Sequence, residues 1–466
     1  MADPTSAGPT PPFENVPFEG LPFENLAVAL AWLDSHIDHE ASMPTRRALP
    51  SLDRMRALTA LLGDPQDAVP TIHVTGTNGK GSTSAMATAL LLSKGLSVGT
   101  YTSPNLHRVN ERIAANMTPI DDEAFVAVLN ELALLESMLS ERPTRFDLLT
   151  ASALSWFASE AVDAMVIEVG LGGTWDNTNV VHGDVAVLTN VSFDHTDVLG
   201  PTLEGIATDK AGIIEPQSAV VLGNLPDGLA DLVAARAAEV GVASLWRYGH
   251  EFGCSANQVA VGGRLVDLWT PGGRYEEVAL PLHGAYQGTN AAIALAAVEA
   301  FFGAPLDPQV VADGFAAVRV PGRLEVLGQR PLLLVDGAHN AAGMAALADA
   351  LGEEFAVDGT AVAVVGMLTG RDPSAMLAPL ASAGVAAVVL CQPDSPRAMP
   401  MAAMAEAARS LGLAVHEEPV VTDAVRLARA MVGADGLVVV CGSLYVVGAA
   451  RAAALASAES WEDAGR

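Results

Sequence analysis

Short, almost wholly apolar runs alternate with longer amphipathic ones along most of this chain, the pattern of parallel strands buried on both faces and joined by helices. Strands are expected from Thr71 to Thr75, Ser97 to Tyr101, Ala164 to Glu168 and Val185 to Leu188. Helices are expected around them, from Leu26 to Ile37, Leu52 to Leu62, Ser82 to Lys94, Asp122 to Glu141 and Asp147 to Ser159. Between Leu245 and Leu280, glycine, valine and alternating polar residues break the pattern and predict a small antiparallel addition, followed by a long helix from Thr289 to Phe302. After Val320-Pro321-Gly322-Arg323 a second series starts, with strands from Leu332 to Asp336, Ala361 to Gly366, Ala387 to Cys391 and Leu437 to Cys441 and alanine-rich helices between them. The fold class is therefore α/β with two domains. An N-terminal domain, 26–320, has a mainly parallel sheet plus the small addition, and a C-terminal Rossmann-like α/β domain spans 321–466. Ligands of such sheets bind beyond the carboxyl ends of the strands, which directs attention to the cleft between the domains.

Residues 1–25 stand apart. Pro-Phe-Glu-Asn or a near copy occurs at Pro12 to Asn15, Pro17 to Gly20 and Pro22 to Asn25. Proline at this spacing builds no core, so a flexible arm that docks a Phe or two is expected. No basic-then-apolar start marks a secretory signal, and no apolar run reaches the roughly 18 residues of a membrane span. Cys254, Cys391 and Cys441 are too scattered for a disulfide framework, which suits a reducing cytoplasm. Against 54 Asp plus Glu there are only 25 Lys plus Arg, a net charge of -29 that repels nucleic acid at long range. Any anionic small molecule must then meet its positive charge in a cleft, which raises the weight of Lys80, Lys210 and Arg323.

The chemistry-bearing stretch is Thr71-Ile72-His73-Val74-Thr75-Gly76-Thr77-Asn78-Gly79-Lys80-Gly81-Ser82-Thr83. A strand runs into a glycine turn with one lysine and then into a helix, an anion cradle for a nucleotide triphosphate. Its spacing departs from G-x-x-x-x-G-K-[ST], because Gly81 separates Lys80 from Ser82. Glu168 ends a buried strand just before Val169-Gly170-Leu171-Gly172-Gly173, a place suited to holding Mg²⁺ directly or through water. His195 follows the next strand, either as a metal ligand oriented by Asp194 or Asp197 or as an ordinary polar residue. Lys210 either pairs with Asp209 or Glu215 or, if desolvated, reacts with CO₂ to give a carbamate.

The phosphate loop resembles that of folylpolyglutamate synthase and dihydrofolate synthase, in the Mur ligase superfamily. The likeness extends through Thr102 to Leu106, Glu111 to Ile113, Glu168 to Gly173, Asp194-His195 with Leu199-Gly200, Asp209 to Ile214, Gly284 to Asn290, Pro321 to Arg323, Asp336 to Asn340 and Gly442 to Tyr445. It implies that Thr77, Asn78, Gly79, Lys80, Gly81, Ser82 and Thr83 hold the ATP phosphates, and that Asn290, Arg323 and Asp336 complete the nucleotide site across the domain junction. Ser103, Glu168 and His195 match the family's ligands for two magnesium ions, and Lys210 matches its carbamylated lysine. The pterin side is similar at Pro50, Ser51 and Leu52, at Thr144, Arg145, Phe146 and Asp147, and at Trp175, Asp176 and Asn177. His339 and Ser443 are candidates for the incoming glutamate. Departures are Asn105, Thr174, Asn177 and Gly370-Arg371, where the family commonly has His, Arg, Ala and Asp-Lys.

The implied activity is ATP-dependent ligation of L-glutamate to dihydropteroate and to reduced folates through an acyl phosphate, with Lys80, Lys210 and His339 as the catalytic candidates. A monomer working on small molecules alone is expected, away from nucleic acid and membrane. Ligation to reduced folates alone is the alternative. A cell-wall Mur ligase is disfavoured, because too little chain precedes Gly76 for a separate UDP-binding domain. A nucleotide switch without ligation leaves the pterin and glutamate motifs without a role.

Overall fold

The structure, a computed structural model, describes residues 22–43, 51–355 and 357–464. Pro50 and the first two copies of the Pro-Phe-Glu-Asn repeat lie outside the described residues. The third copy is docked. Phe23 is buried with its ring centroid 5.4 Å from that of Trp32, and its N–H donates to Asn130 Oδ1. Asn25 caps the helix Leu26–Asp34 by accepting from the Val28 N–H at 3.1 Å.

An eight-stranded sheet forms the centre of the N-terminal region, in the order Thr118–Pro119, Ile113–Ala115, Val98–Tyr101, Ala164–Glu168, Thr71–Thr75, Val185–Leu188, Ala219–Leu222 and Ser244–Arg247. Six of these strands run parallel, and the two shortest close one edge antiparallel. The apolar runs are continuous because successive residues serve different cores. Val166 joins the core under the helices Lys80–Ser93 and Tyr286–Phe302, while Met165 and Ile167 join the one under Asp122–Glu136 and Arg145–Ser159. The helix Tyr286–Phe302 is apolar almost all round and correspondingly sunk, with every residue from Ala291 to Val298 buried.

The expected antiparallel addition is a three-stranded sheet of Gly253–Ala260, Gly263–Thr270 and Gly273–Leu280. Leu245, where it was expected to start, instead lies in the last parallel strand of the large sheet. From Glu325 a six-stranded sheet follows, in the order Glu325–Gln329, Leu332–Val335, Leu437–Cys441, Ala361–Val365, Ala387–Leu390 and Ala414–Glu417. All but the first strand run parallel, and separate apolar cores cover the two faces. No helix of the described residues is long and apolar enough to cross a membrane. Thr75, Glu168 and Leu188 end three adjacent strands on one side of a cleft, and Val335 and Cys441 end two adjacent strands facing it.

Candidate active site

The phosphate loop is shaped by what its glycines exclude. Gly79 has φ +83°, and a Cβ there would stand 2.5 Å from the Asn290 side chain, so only glycine lets the loop pass beneath that residue. The helix Lys80–Ser93 begins at the next residue, so its free N–H groups and the Lys80 charge open on the cleft. Asn78 is held from several sides. Its N–H donates to Asn190 Oδ1 at 2.9 Å, and its carbonyl accepts from Thr189 Oγ1 at 2.7 Å and Asn190 Nδ2 at 2.8 Å. Thr77 Oγ1 exchanges hydrogen bonds with the Ser192 backbone. Ser82 and Gly81 line the cleft with Lys80, whereas Thr83, expected beside them, is wholly buried in the helix and does not.

Glu168 lies over this helix start, with its Oε2 receiving the Ser103 N–H at 3.3 Å. Burial pushes its carboxyl upward, against the opposing charges of Lys80 and Arg323. Lys210 is buried and donates to the Gly76 carbonyl at 2.7 Å, a carbonyl that Lys80 also reaches at 3.3 Å. Neither expected ion pair of Lys210, with Asp209 or with Glu215, is its hydrogen-bonding contact. Burial and then the Lys80 charge lower its amine to about 7. His195, in the left-handed region at φ +49°, is lowered to about 3 chiefly by burial and is therefore a neutral imidazole.

The second domain completes the wall. Asp336 receives the N–H groups of Leu324 at 2.8 Å and Ala338 at 2.7 Å, and Arg323 lies beside it. Asn340 reaches across to Asn78 at 2.9 Å and donates to Asp194 Oδ2 at 3.0 Å. Asp194 also takes Arg371 Nη2 at 3.0 Å and faces His339 Nε2 at 3.5 Å. Although burial alone pushes its carboxyl up, His339, His195 and Arg371 hold Asp194 well below the usual carboxylate range. Asp194 thus ties the two domains together, and it also accepts the His195 N–H at 2.8 Å with its Oδ1 3.7 Å from the ring Nε2.

Family models match the chain twice, as the Mur ligase middle domain over residues 74–298 and as the Mur ligase glutamate ligase domain over 322–444. A dihydrofolate synthase/folylpolyglutamate synthase of Mycobacterium tuberculosis is 40% identical over 386 residues, covering 78% of this chain and 79% of the relative. The chain belongs to the dihydrofolate synthase/folylpolyglutamate synthase family. Among solved structures of this family, the M. tuberculosis folylpolyglutamate synthase complexed with ADP superposes with a TM-score of 0.85 at 38% identity, covering 92% of this chain and 98% of that one. Escherichia coli FolC in complex with DHPP and ADP gives 0.81 at 31% identity, covering 94% and 99%.

A second, more apolar pocket adjoins the first through Ser103, Gly170 and Leu171. The pterin-side candidates of the family divide here. Phe146, Trp175, Asp176 and Asn177 line the pocket. Thr144, Arg145 and Asp147 do not. Thr144 and Asp147 form a reciprocal cap on the helix Arg145–Ser159, with Arg54 on Asp147 at 2.9 Å, and Arg145 pairs with Asp34 at 2.8 Å. Ser51 receives the Asp53 N–H and Leu52 precedes the helix Asp53–Leu61, so both serve that helix start and neither lines the pocket. Of the departures, Asn105 accepts from the buried Arg112 at 2.8 Å, and Thr174 donates to the Asp209 carbonyl at 2.9 Å.

His339 and Ser443 line the same pocket from the second domain. So do His39, Glu40 and Arg397, which sequence reasoning missed, and Tyr445, which it noted only within the Gly442 to Tyr445 likeness. Arg397 donates to the Glu40 carbonyl at 3.1 Å, and burial and then the Arg371 charge lower its guanidinium. Two neighbouring guanidiniums in a chain of net charge -29 mark a place for a carboxylate. No local motif carries this, because the partners meet only in the folded chain.

Proposed function

We propose that this chain is an ATP-dependent ligase joining L-glutamate to dihydropteroate and to reduced folates through an acyl phosphate, with release of ADP and phosphate. The observation that carries the reading is one cleft where Lys80, Glu168 and Lys210 face Arg323, Asp336 and His339 of the other domain and which opens directly into the Phe146 and Trp175 pocket. A carboxylate is a poor acyl donor. Attack of the acceptor's carboxylate on the γ-phosphorus of ATP makes it reactive, and glutamate's neutral amine then displaces phosphate to form the amide.

Lys80 and the helix N-terminus offset the charge of the phosphates, while Asn290 over Gly79, with Arg323 and Asp336 from the facing side, holds the remainder of the nucleotide. Arg371 and Arg397, with His339 and Ser443, receive glutamate's carboxylates. Stacking against Phe146 and Trp175 holds the pterin. No group of three His, Cys, Asp or Glu side chains able to hold a metal occurs among the described residues. The residues would fit magnesium held mostly by phosphate and water oxygens, with the Glu168 carboxylate and the Ser103 hydroxyl as further oxygen donors and neutral His195 offering a ring nitrogen. Such ions neutralise charge that otherwise repels the attacking carboxylate. Lys210, lowered to about 7, is partly neutral at physiological pH, the form that adds CO₂. A reducing, cytoplasmic setting suits the three free cysteines.

The test is glutamate-dependent ADP release by the purified chain, with dihydropteroate and tetrahydrofolate offered separately and the products weighed by mass spectrometry. Both acceptors should gain one glutamate. Product from tetrahydrofolate alone leaves folylpolyglutamate synthesis only, and ADP release without amide product refutes ligation.

A further inference from the structure

The three-stranded sheet contributes no side chain to either pocket, yet it carries an arginine that is buried to 1% exposure of its side chain. Arg264 donates to Glu354 and, at 2.9 Å, to Glu353, both at the end of the second-domain helix Ala341–Glu354, and it also binds Asn257 on the neighbouring strand. Glu354 is equally buried, and it collects more. His283 Nδ1 lies 2.9 Å from its Oε2, and the Gly284 N–H donates to its Oε1 at 2.8 Å. Asn257 Nδ2 in turn donates to the Ala285 carbonyl at 2.7 Å. Three consecutive residues, His283 to Ala285, are therefore pinned just before the helix Tyr286–Phe302 begins.

That helix start faces the nucleotide cleft. Gly284, at φ +95°, packs so closely on the Tyr286 ring that a Cβ would stand 2.5 Å from it. Tyr286 lines the cleft with Asp336, whose charge acts on its hydroxyl, and Asn290 one turn further lies over Gly79. The far end of Ala341–Glu354 is fixed as well, through its cap Asn340 on Asn78 and Asp194. One helix is thus clamped at both ends to the N-terminal domain, with the nucleotide cleft between the clamps.

We propose that Glu354 is a positioning residue for the nucleotide subsite: held by Arg264, it fixes Gly284 and so sets Tyr286 and Asn290 against Asp336 and the phosphate loop. The three-stranded sheet is the buttress that presents Arg264 and Asn257 for this purpose. A buried ion pair is a costly way to gain stability alone, whereas removing one partner strands the other. Here the expense falls where a helix start must be aimed. The inference rests on the assignment of the nucleotide to the cleft at Gly79.

The experiment measures ADP dissociation constants and steady-state constants for the full chain, comparing wild type with Glu354→Gln and His283→Gln. Glu354→Gln should raise the ADP dissociation constant and the KM for ATP at least tenfold, the scale of ordinary coupling between sites. The KM for glutamate should stay within twofold, and His283→Gln should move the same constants by less. Unchanged nucleotide constants overturn the proposal, and so does an equal rise in every KM, which marks general loosening. If Glu354→Gln fails to fold, His283→Gln with unchanged nucleotide constants also overturns it. Wild type that binds no ADP overturns the nucleotide assignment itself, a distinguishable failure.

Discussion

Lowering the pH should weaken this protein, and the buried His73, alongside His195, carries a separable share of the loss. His73 lies inside the strand that leads to the phosphate loop and has no exposure. Thr178 Oγ1 donates to Asp176 Oδ1 at 2.6 Å, so it can only accept from His73, whose Nε2–H reaches it at 2.9 Å. That fixes the tautomer and leaves Nδ1 without a hydrogen-bond partner among the described residues. Protonating Nδ1 would place an unpaired charge in the core, and burial accordingly lowers this imidazole to about 3. The unfolded chain takes up the proton near its ordinary pKa of about 6.5, so between these values the unfolded state binds more protons and stability falls with pH. The contribution is fully present above about pH 6.5 and shrinks as pH drops toward 3. At about 1.4 kcal/mol per pH unit, the loss between pH 8 and pH 5 is about 2 kcal/mol. Urea unfolding of wild type and His73→Gln at pH 8, 6.5, 5.5 and 5 isolates it, because the remaining titrations are common to both chains. Wild type should lose about 2 kcal/mol more than the variant over this span. Parallel stability curves would refute both the buried neutral state and the tautomer argument.

Gly79→Ala must adopt a left-handed backbone and push on Asn290, so the KM for ATP should rise about tenfold or more, from strain of roughly 1–2 kcal/mol, while thermal stability changes little. Arg397→Ala should raise the KM for glutamate by roughly ten- to a hundredfold, the value of one charge-assisted hydrogen bond, and leave the KM for ATP within twofold. Lys210→Met should abolish ligation, and ¹³C-bicarbonate should give wild type a carbamate resonance that the variant lacks. Absence of that resonance from fully active wild type rejects the carbamate. Thr144→Ala, at a helix cap outside the pocket, should cost about 1 kcal/mol of stability and leave the KM for dihydropteroate unchanged.

The sheets were legible at strands such as Val185–Leu188, where both faces are covered and no polar position blurs the run, although the equally apolar Ala219–Leu222 was not picked out. Edges were not. The hairpin of Ile113–Ala115 and Thr118–Pro119 is too short for periodicity, and Glu325–Gln329 is partly solvated and carries glycine. At the site, the residues beside glycine turns at strand ends were readable, since loop chemistry is local. Thr144 and Asp147 were drawn to the pterin by resemblance, although the Thr-x-x-Asp spacing also fits a helix cap, which is the role seen here. Arg397 and the Asp194–Arg371 contact were unreadable, because charge complementarity between distant segments leaves no trace in the spacing of either.

The helix Ala341–Glu354 acts as a gauge block. Its 14 residues span about 21 Å, and each added or deleted residue turns one end by about 100° relative to the other. Asn340 and Glu354 could not then meet Asn78 and Arg264 together. Drift in chain length should therefore accumulate in loops such as the one beyond Glu354, and this rod should keep its measure as the surrounding surface diverges.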